Sequence, residues 1–95
     1  MKYLDWDREK NEKLKEEREI GFEEVAAAMI EGKVLAMIPH PNKKRYPGQK
    51  IFIVELHDYA YLVPFVEDEK KIFLKTIFPS RKYTREFIEK GGKNI

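Results

Sequence analysis

Residues 51–78 carry three runs of β-branched and aromatic side chains almost back to back, and no other feature restricts the fold as much. The runs are Ile51–Leu56, Tyr59–Val66 and Ile72–Phe78, separated only by His57-Asp58 and by Glu67–Lys71. Val, Ile, Phe and Tyr suit a pleated surface, and polar breaks this short suit hairpins, so the spacing predicts a three-stranded antiparallel meander. The strands are too continuously apolar to leave one face wholly in water. The rest of the chain has to cover them.

Met1–Asp5 reads as a short edge strand with Tyr3 and Trp6 as anchors, and Asp7 as the N-cap of a helix over Arg8–Glu19. That helix is almost wholly polar. Leu14 is its one apolar residue, Asn11, Lys15 and Arg18 share its face, and Glu9 and Lys13 stand at a favourable i,i+4 spacing. Such a helix either skims the surface or presents its face to a ligand or partner. After a break at Ile20-Gly21, the residues Phe22, Val25, Ala26, Met29 and Ile30 mark one stripe of an amphipathic helix over Phe22–Glu31, capped by Gly32. Val34–Ile38 is a short strand and Pro39–Gly48 a loop. Ser80 caps a last helix from Arg81 to Lys90, with Tyr83, Phe87 and Ile88 as its stripe and Gly91-Gly92 as its stop, and the tail beyond Lys93 is expected to fray. The order β-α-α-β-β-β-β-α predicts an α+β fold, a small antiparallel sheet with helices packed on it, in a single domain over 1–95.

The chain has no cysteine, no run of 18 apolar residues and a charged start, which places it in the cytoplasm with no membrane contact. Its net charge is only +2, so any nucleic-acid role must rest on local patches. The bases cluster at Lys43-Lys44-Arg45 with Lys50, and at Lys70, Lys71, Lys75, Arg81, Lys82 and Arg85. No glycine-rich phosphate loop, zinc-type cluster, Cys or GxSxG nucleophile is present, so neither metal nor cofactor is expected. What remains is phosphodiester chemistry by positioned cations and one acid or base. Cleavage of RNA by its own 2′-hydroxyl needs a base near that hydroxyl, cations on the crowded phosphorane, and an acid for the leaving oxygen. Arg81, at a strand-to-helix junction, is the leading candidate because its planar fork pairs two oxygens at once, with Lys82, Lys75 and Arg85 as neighbours. Lys43-Lys44-Arg45 reads equally as a solubilising loop tip or a phosphate contact. Tyr46 sits in that loop, placed to stack on a base, whereas Phe52, Tyr59 and Tyr61 fall within the strand pattern and read mainly as core.

The pattern Asp5-Trp6-Asp7-x-x-Lys10-Asn11, then a charged helix, Gly21 and Phe22-Glu23-Glu24-Val25-Ala26, resembles the opening of the BrnT family of toxins. Pro79-Ser80-Arg81-Lys82-Tyr83-Thr84 after a strand resembles that family's closing signature. The resemblance implies a RelE/barnase-like fold, endoribonuclease activity that stalls growth, and neutralisation by a DNA-binding antitoxin encoded alongside. It matches Lys10 to the basic residue of the first helix and Arg81 and Lys82 to the basic pair before the last. Glu67 and Lys75 stand for groups on the middle strands, and Arg45 for a base ahead of the third. On that reading Lys10, Arg81 and Lys82 grip phosphate while Glu67, Glu55 or His57 handles the proton, and Arg45, Tyr46, Lys75 and Arg85 bind RNA. The alternative is a non-catalytic module of the same fold that binds nucleic acid or protein through that face.

Overall fold

A computed structural model describes residues 2–89. Strand β1 (Tyr3–Trp6) leads into helices α1 (Arg8–Arg18) and α2 (Phe22–Ile30), then β2 (Val34–Pro39), β3 (Lys50–Leu56), β4 (Tyr59–Glu67), β5 (Lys71–Leu74) and the two-residue β6 (Phe78–Pro79). Helix α3 (Arg81–Tyr83) runs directly into a wider, π-helical stretch, Thr84–Glu89. The α+β fold and the meander are as expected. The expected ends at Met1 and Lys90, the Gly91-Gly92 stop and the tail lie outside the described residues.

Two features of the sheet differ from the expectation. Its order is β1-β5-β4-β3-β2, and β1 pairs with β5 in parallel, so the sheet is mixed rather than antiparallel. Four residues at the start of a chain carry no local signal for the direction in which they will pair. The third run of the meander is also broken. Leu74 lies opposite Phe65 and Phe78 opposite Leu62, so the three residues 75–77 face only Val63 and Pro64. The extra residue is a bulge, and Pro64 explains why a central strand tolerates it there: proline has no N–H to give a regular ladder. Lys75 N–H still donates to Pro64 O at 2.8 Å.

Strand alternation sorts the sheet into two faces. The first carries Leu4, Trp6, Phe52, Val54, Val63, Phe65 and Leu74, which form one cluster with Leu14, Ile20, Phe22, Val25 and Ala28 of the two N-terminal helices. Phe52 stacks on Phe65 at 3.9 Å between centroids and Trp6 on Phe22 at 5.6 Å. Burying each such ring stabilises the fold by about 1.5–3 kcal/mol. Trp6 is therefore the expected anchor, whereas Tyr3, on the other face, is 58% exposed. The α2 stripe is narrower than its periodicity suggested: Ala28 is buried, while Ile30 is 84% exposed because the helix ends there. Gly32, at φ +82°, lets Lys33 N–H reach Ala28 O and its own N–H reach Met29 O, so α2 closes as expected. The second face buries Ile51, Ile53 and Ala60, and the C-terminal helical stretch packs against β4 on this side.

Three polar joints hold the layers. Asn11, buried on α1, accepts from Phe22 N–H at 2.7 Å and donates to Glu23 at 2.9 Å, so it caps a helix to which it does not belong. Gly21, with no side chain, cannot supply that cap. A Cβ there would stand 3.0 Å from Asn11 Oδ1 and closer still to the ends of the Lys15 and Glu23 side chains, so a larger residue would have to displace them. Helix α1 is thus turned inward at Asn11 and Leu14, with Lys15 exposed beside them. The second joint is at Thr84, whose hydroxyl accepts from Ala60 N–H at 2.8 Å and donates to Ser80 O at 2.7 Å. It stands beside the direct bond from Ser80 N–H to Ala60 O, 2.9 Å, and bridges the remaining pair, Ala60 N–H and Ser80 O. The third is the clasp on the first face, where Glu67 is paired with both Lys2 and Lys50.

Candidate nucleic-acid interface

Alternation along β5 puts Lys71 and Phe73 on the second face, and Lys75 follows at the start of the bulge. The Lys71 and Lys75 ammonium groups lie 5.7 and 5.6 Å from the Phe73 ring centroid. In the register Phe73 is flanked by Asp5 of β1 and Val66 of β4, and Lys71 by Tyr3. This half of the face is only partly covered: Val66 and Phe73 are half-buried and Tyr3 projects at the rim. A shallow depression lined by Val66, Glu67, Asp68, Lys71 and Phe73 opens beside it, and Lys71 Nζ lies 3.4 Å from Asp5 Oδ2. An aromatic face between two cations, on an open sheet, offers stacking to a base and charge to the phosphates on either side.

The expected site residues do not form one group. Arg81 and Lys82 are exposed at the start of α3, where Ser80 Oγ accepts from Tyr83 N–H at 3.2 Å as the cap. Arg85 is exposed one turn on, and none of Lys75, Arg81, Lys82 and Arg85 enters an ion pair among the described residues. These four follow one edge of β4, since β5, the bulge, β6 and α3 succeed one another along it. Lys10 is in the first turn of α1, part of the layer on the opposite face.

Glu67 stands apart from them. Ser80 is bonded to Ala60 at the head of β4 and Glu67 is at its foot, a separation of about 23 Å at ~3.3 Å per residue. Its side chain belongs to the first face with Lys2 and Lys50. The Lys2 hydrogen bond, and then the charges of Lys2 and Lys50, hold its carboxyl below the ordinary range. A carboxylate so held is a salt-bridge partner, not a proton carrier beside Arg81. Of the other proton-handling candidates, His57 occupies the β3–β4 turn at φ 54° and its Nε2 lies 2.9 Å from Glu24 on α2.

Arg45 and Tyr46 are also separate. The loop between β2 and β3 leaves the foot of the sheet, the end opposite Ser80 and Arg81. It is also more ordered than its composition suggests. Asn42 Oδ1 accepts from Arg45 N–H at 3.1 Å, the Tyr46 ring lies 4.4 Å from His40, and Arg45 sits 5.6 Å from the Tyr46 ring. Tyr46 is therefore already packed against His40, the two rings tilted by 36°. Phe52 and Tyr61 lie in or against the core, as their position in the strands implied. Phe73 and Lys71 were missed as site residues, yet the pattern Lys71-x-Phe73-x-Lys75 is a one-face signal in any strand reading.

Among the described residues no three His, Cys, Asp or Glu side chains gather as a metal-binding set, and no helix is long and apolar enough to cross a membrane. Compared with family models, characterised proteins and solved structures, the chain matches none.

The carboxylates also set an acid limit for the fold. Glu23 is held below its ordinary value by the Asn11 hydrogen bond and by Lys15, Glu67 by Lys2 and Lys50, and Asp68 by the N–H groups of Lys70 and Lys71. Groups lowered in the folded state stabilise it above their ordinary range and lose that contribution as pH falls through their folded values. Stability is therefore expected to decline as pH drops below about 4.5. Glu23→Gln should flatten that decline in urea titrations run from neutral to acid pH; an unchanged slope would remove Glu23 from the account.

Proposed function

We propose that this protein binds single-stranded RNA along the β5–α3 edge, with Phe73 as a stacking platform and Lys71, Lys75, Arg81, Lys82 and Arg85 as phosphate contacts. The observation that carries this reading is the Phe73 ring between two lysines on the open half of the second face. With only +2 net charge, attraction of RNA has to come from such a local track. The function is then binding, in the cytoplasm, by a module in which Glu67 stands away from Arg81.

A second reading is the metal-free endoribonuclease of a toxin–antitoxin pair, on a RelE/barnase-like sheet, held inactive by a cognate DNA-binding antitoxin. It is favoured by Arg81, Lys82 and Arg85, exposed together at the capped start of the last helix. It requires a general base other than Glu67. One experiment separates the two. Purified protein is incubated with a single-stranded RNA across a range of salt, following both retention and integrity of the RNA, with Arg81→Ala alongside. Salt-dependent binding of intact RNA is the expected result, with a log–log slope of about 0.7 for each phosphate contacted. Cleavage by the wild type that Arg81→Ala abolishes would select the ribonuclease. Absence of both binding and cleavage at low salt would overturn both readings.

A further inference from the structure

We infer that the outer edge of β2 is a homodimer interface, formed by antiparallel pairing with β2 of a second copy about a two-fold axis through Met37. This goes beyond the RNA reading and does not depend on it. β2 lies at one end of the sheet with no strand on its outer side among the described residues. Its six residues, VLAMIP, include no charge, and its protection against a neighbouring strand is confined to the bulge at Leu35 and to Pro39.

The ladder fixes which groups face outward. His40 N–H donates to Gln49 O, and in the same register Ile38 opposes Ile51 and Ala36 opposes Ile53, so these residues turn their polar groups toward β3. Met37 between them turns its N–H and C=O outward, with its side chain 53% exposed. Pro39 also faces outward, where its missing N–H costs β3 nothing. Two antiparallel copies keep their apolar faces on the same side only if a residue meets its own equivalent or one two places away. Met37 against Met37 of the second copy satisfies this, and each then gives and receives one backbone hydrogen bond.

Charge complementarity selects a second copy over another protein's strand. The head of β2 adjoins a cleft lined by Glu24, Glu31 and Glu55, with Lys33 and His57 also on its wall. The foot of β2 leads into the exposed Lys43-Lys44-Arg45 tip. Antiparallel pairing on Met37 brings the foot of β2 in one copy beside the head of β2 in the other. The basic tip of each subunit thereby meets the acidic cleft of its neighbour, and the contact occurs twice.

The test is the mass in solution, by sedimentation or light scattering, at up to about 1 mM protein. A mass twice the 11.4 kDa of the chain is expected, falling toward monomer with added salt. Met37→Lys should weaken the dimer about tenfold or more by placing two like charges on the axis. Reversal of Lys43, Lys44 and Arg45 to Glu should do the same without touching the sheet, and adding Glu24→Lys and Glu31→Lys should restore the dimer. A wild type that stays monomeric at the highest concentration overturns the proposal. So does a dimer indifferent to the loop reversal, whether or not the Met37 variant folds.

Discussion

Thr84→Val is expected to lower the unfolding free energy by about 1–3 kcal/mol. Valine matches threonine in shape, so packing is preserved and only the hydroxyl is lost. Two groups depend on it. Ala60 N–H, on a residue with no exposed surface, is left without an acceptor, and Ser80 O loses one of its two donors. The effect also reaches further than one bond, because the hydroxyl is the splice between the head of β4 and the C-terminal helix. Thr84→Ser keeps the hydroxyl and should cost less than half as much. Urea unfolding reads the difference: the midpoint of the Val variant should fall with an unchanged m-value. Equal midpoints for Val and Ser would mean the hydroxyl is not the joint.

Phe73→Ala is expected to weaken RNA binding about tenfold or more, in line with ~1–3 kcal/mol for one base stacked on an aromatic ring. Phe73 is partly buried, so the alanine variant will also lose some stability. Phe73→Leu separates the effects by restoring apolar volume without a π face: stability should recover and affinity should not. Lys75→Ala should act differently, weakening binding to all sequences alike and reducing the salt slope by about 0.7. If Phe73→Leu binds as tightly as wild type, the ring is a cover for the sheet and RNA, if bound, lies elsewhere. Arg81→Ala read in parallel then distinguishes a track that begins at α3.

Much of the fold was legible because its signals are local. The hairpin at His57-Asp58 follows from two short turn-forming residues between apolar runs, and both adopt positive φ. Asp7, Gly32, Ser80 and the Pro47-Gly48 turn act where their chemistry placed them. The parallel pairing of β1 and the break at residues 75–77 were not legible, because each depends on which strand lies alongside. The site was legible only in its parts. Cations could be counted along the chain, but only the register shows that Glu67 is at the far end of β4 from Arg81. Asn11, Gly21 and Thr84, which carried much of the resemblance, are joints of the fold. Asn11 shares a face with Leu14 in the helical wheel, but its burial and its role as a cap become visible only with α2 in place.

The parallel pairing of β1 with β5 has a consequence for how the protein is made. Tyr3–Trp6 leave the ribosome well before Lys71–Leu74, the strand with which they pair among the described residues. Until then Leu4 and Trp6 have no sheet to join, while α1, α2 and the β2–β3–β4 meander can already assemble. The N-terminal strand is thus the latch that closes a nearly finished domain. A nascent chain arrested before Leu74 should hold its first six residues open to a protease that spares the meander.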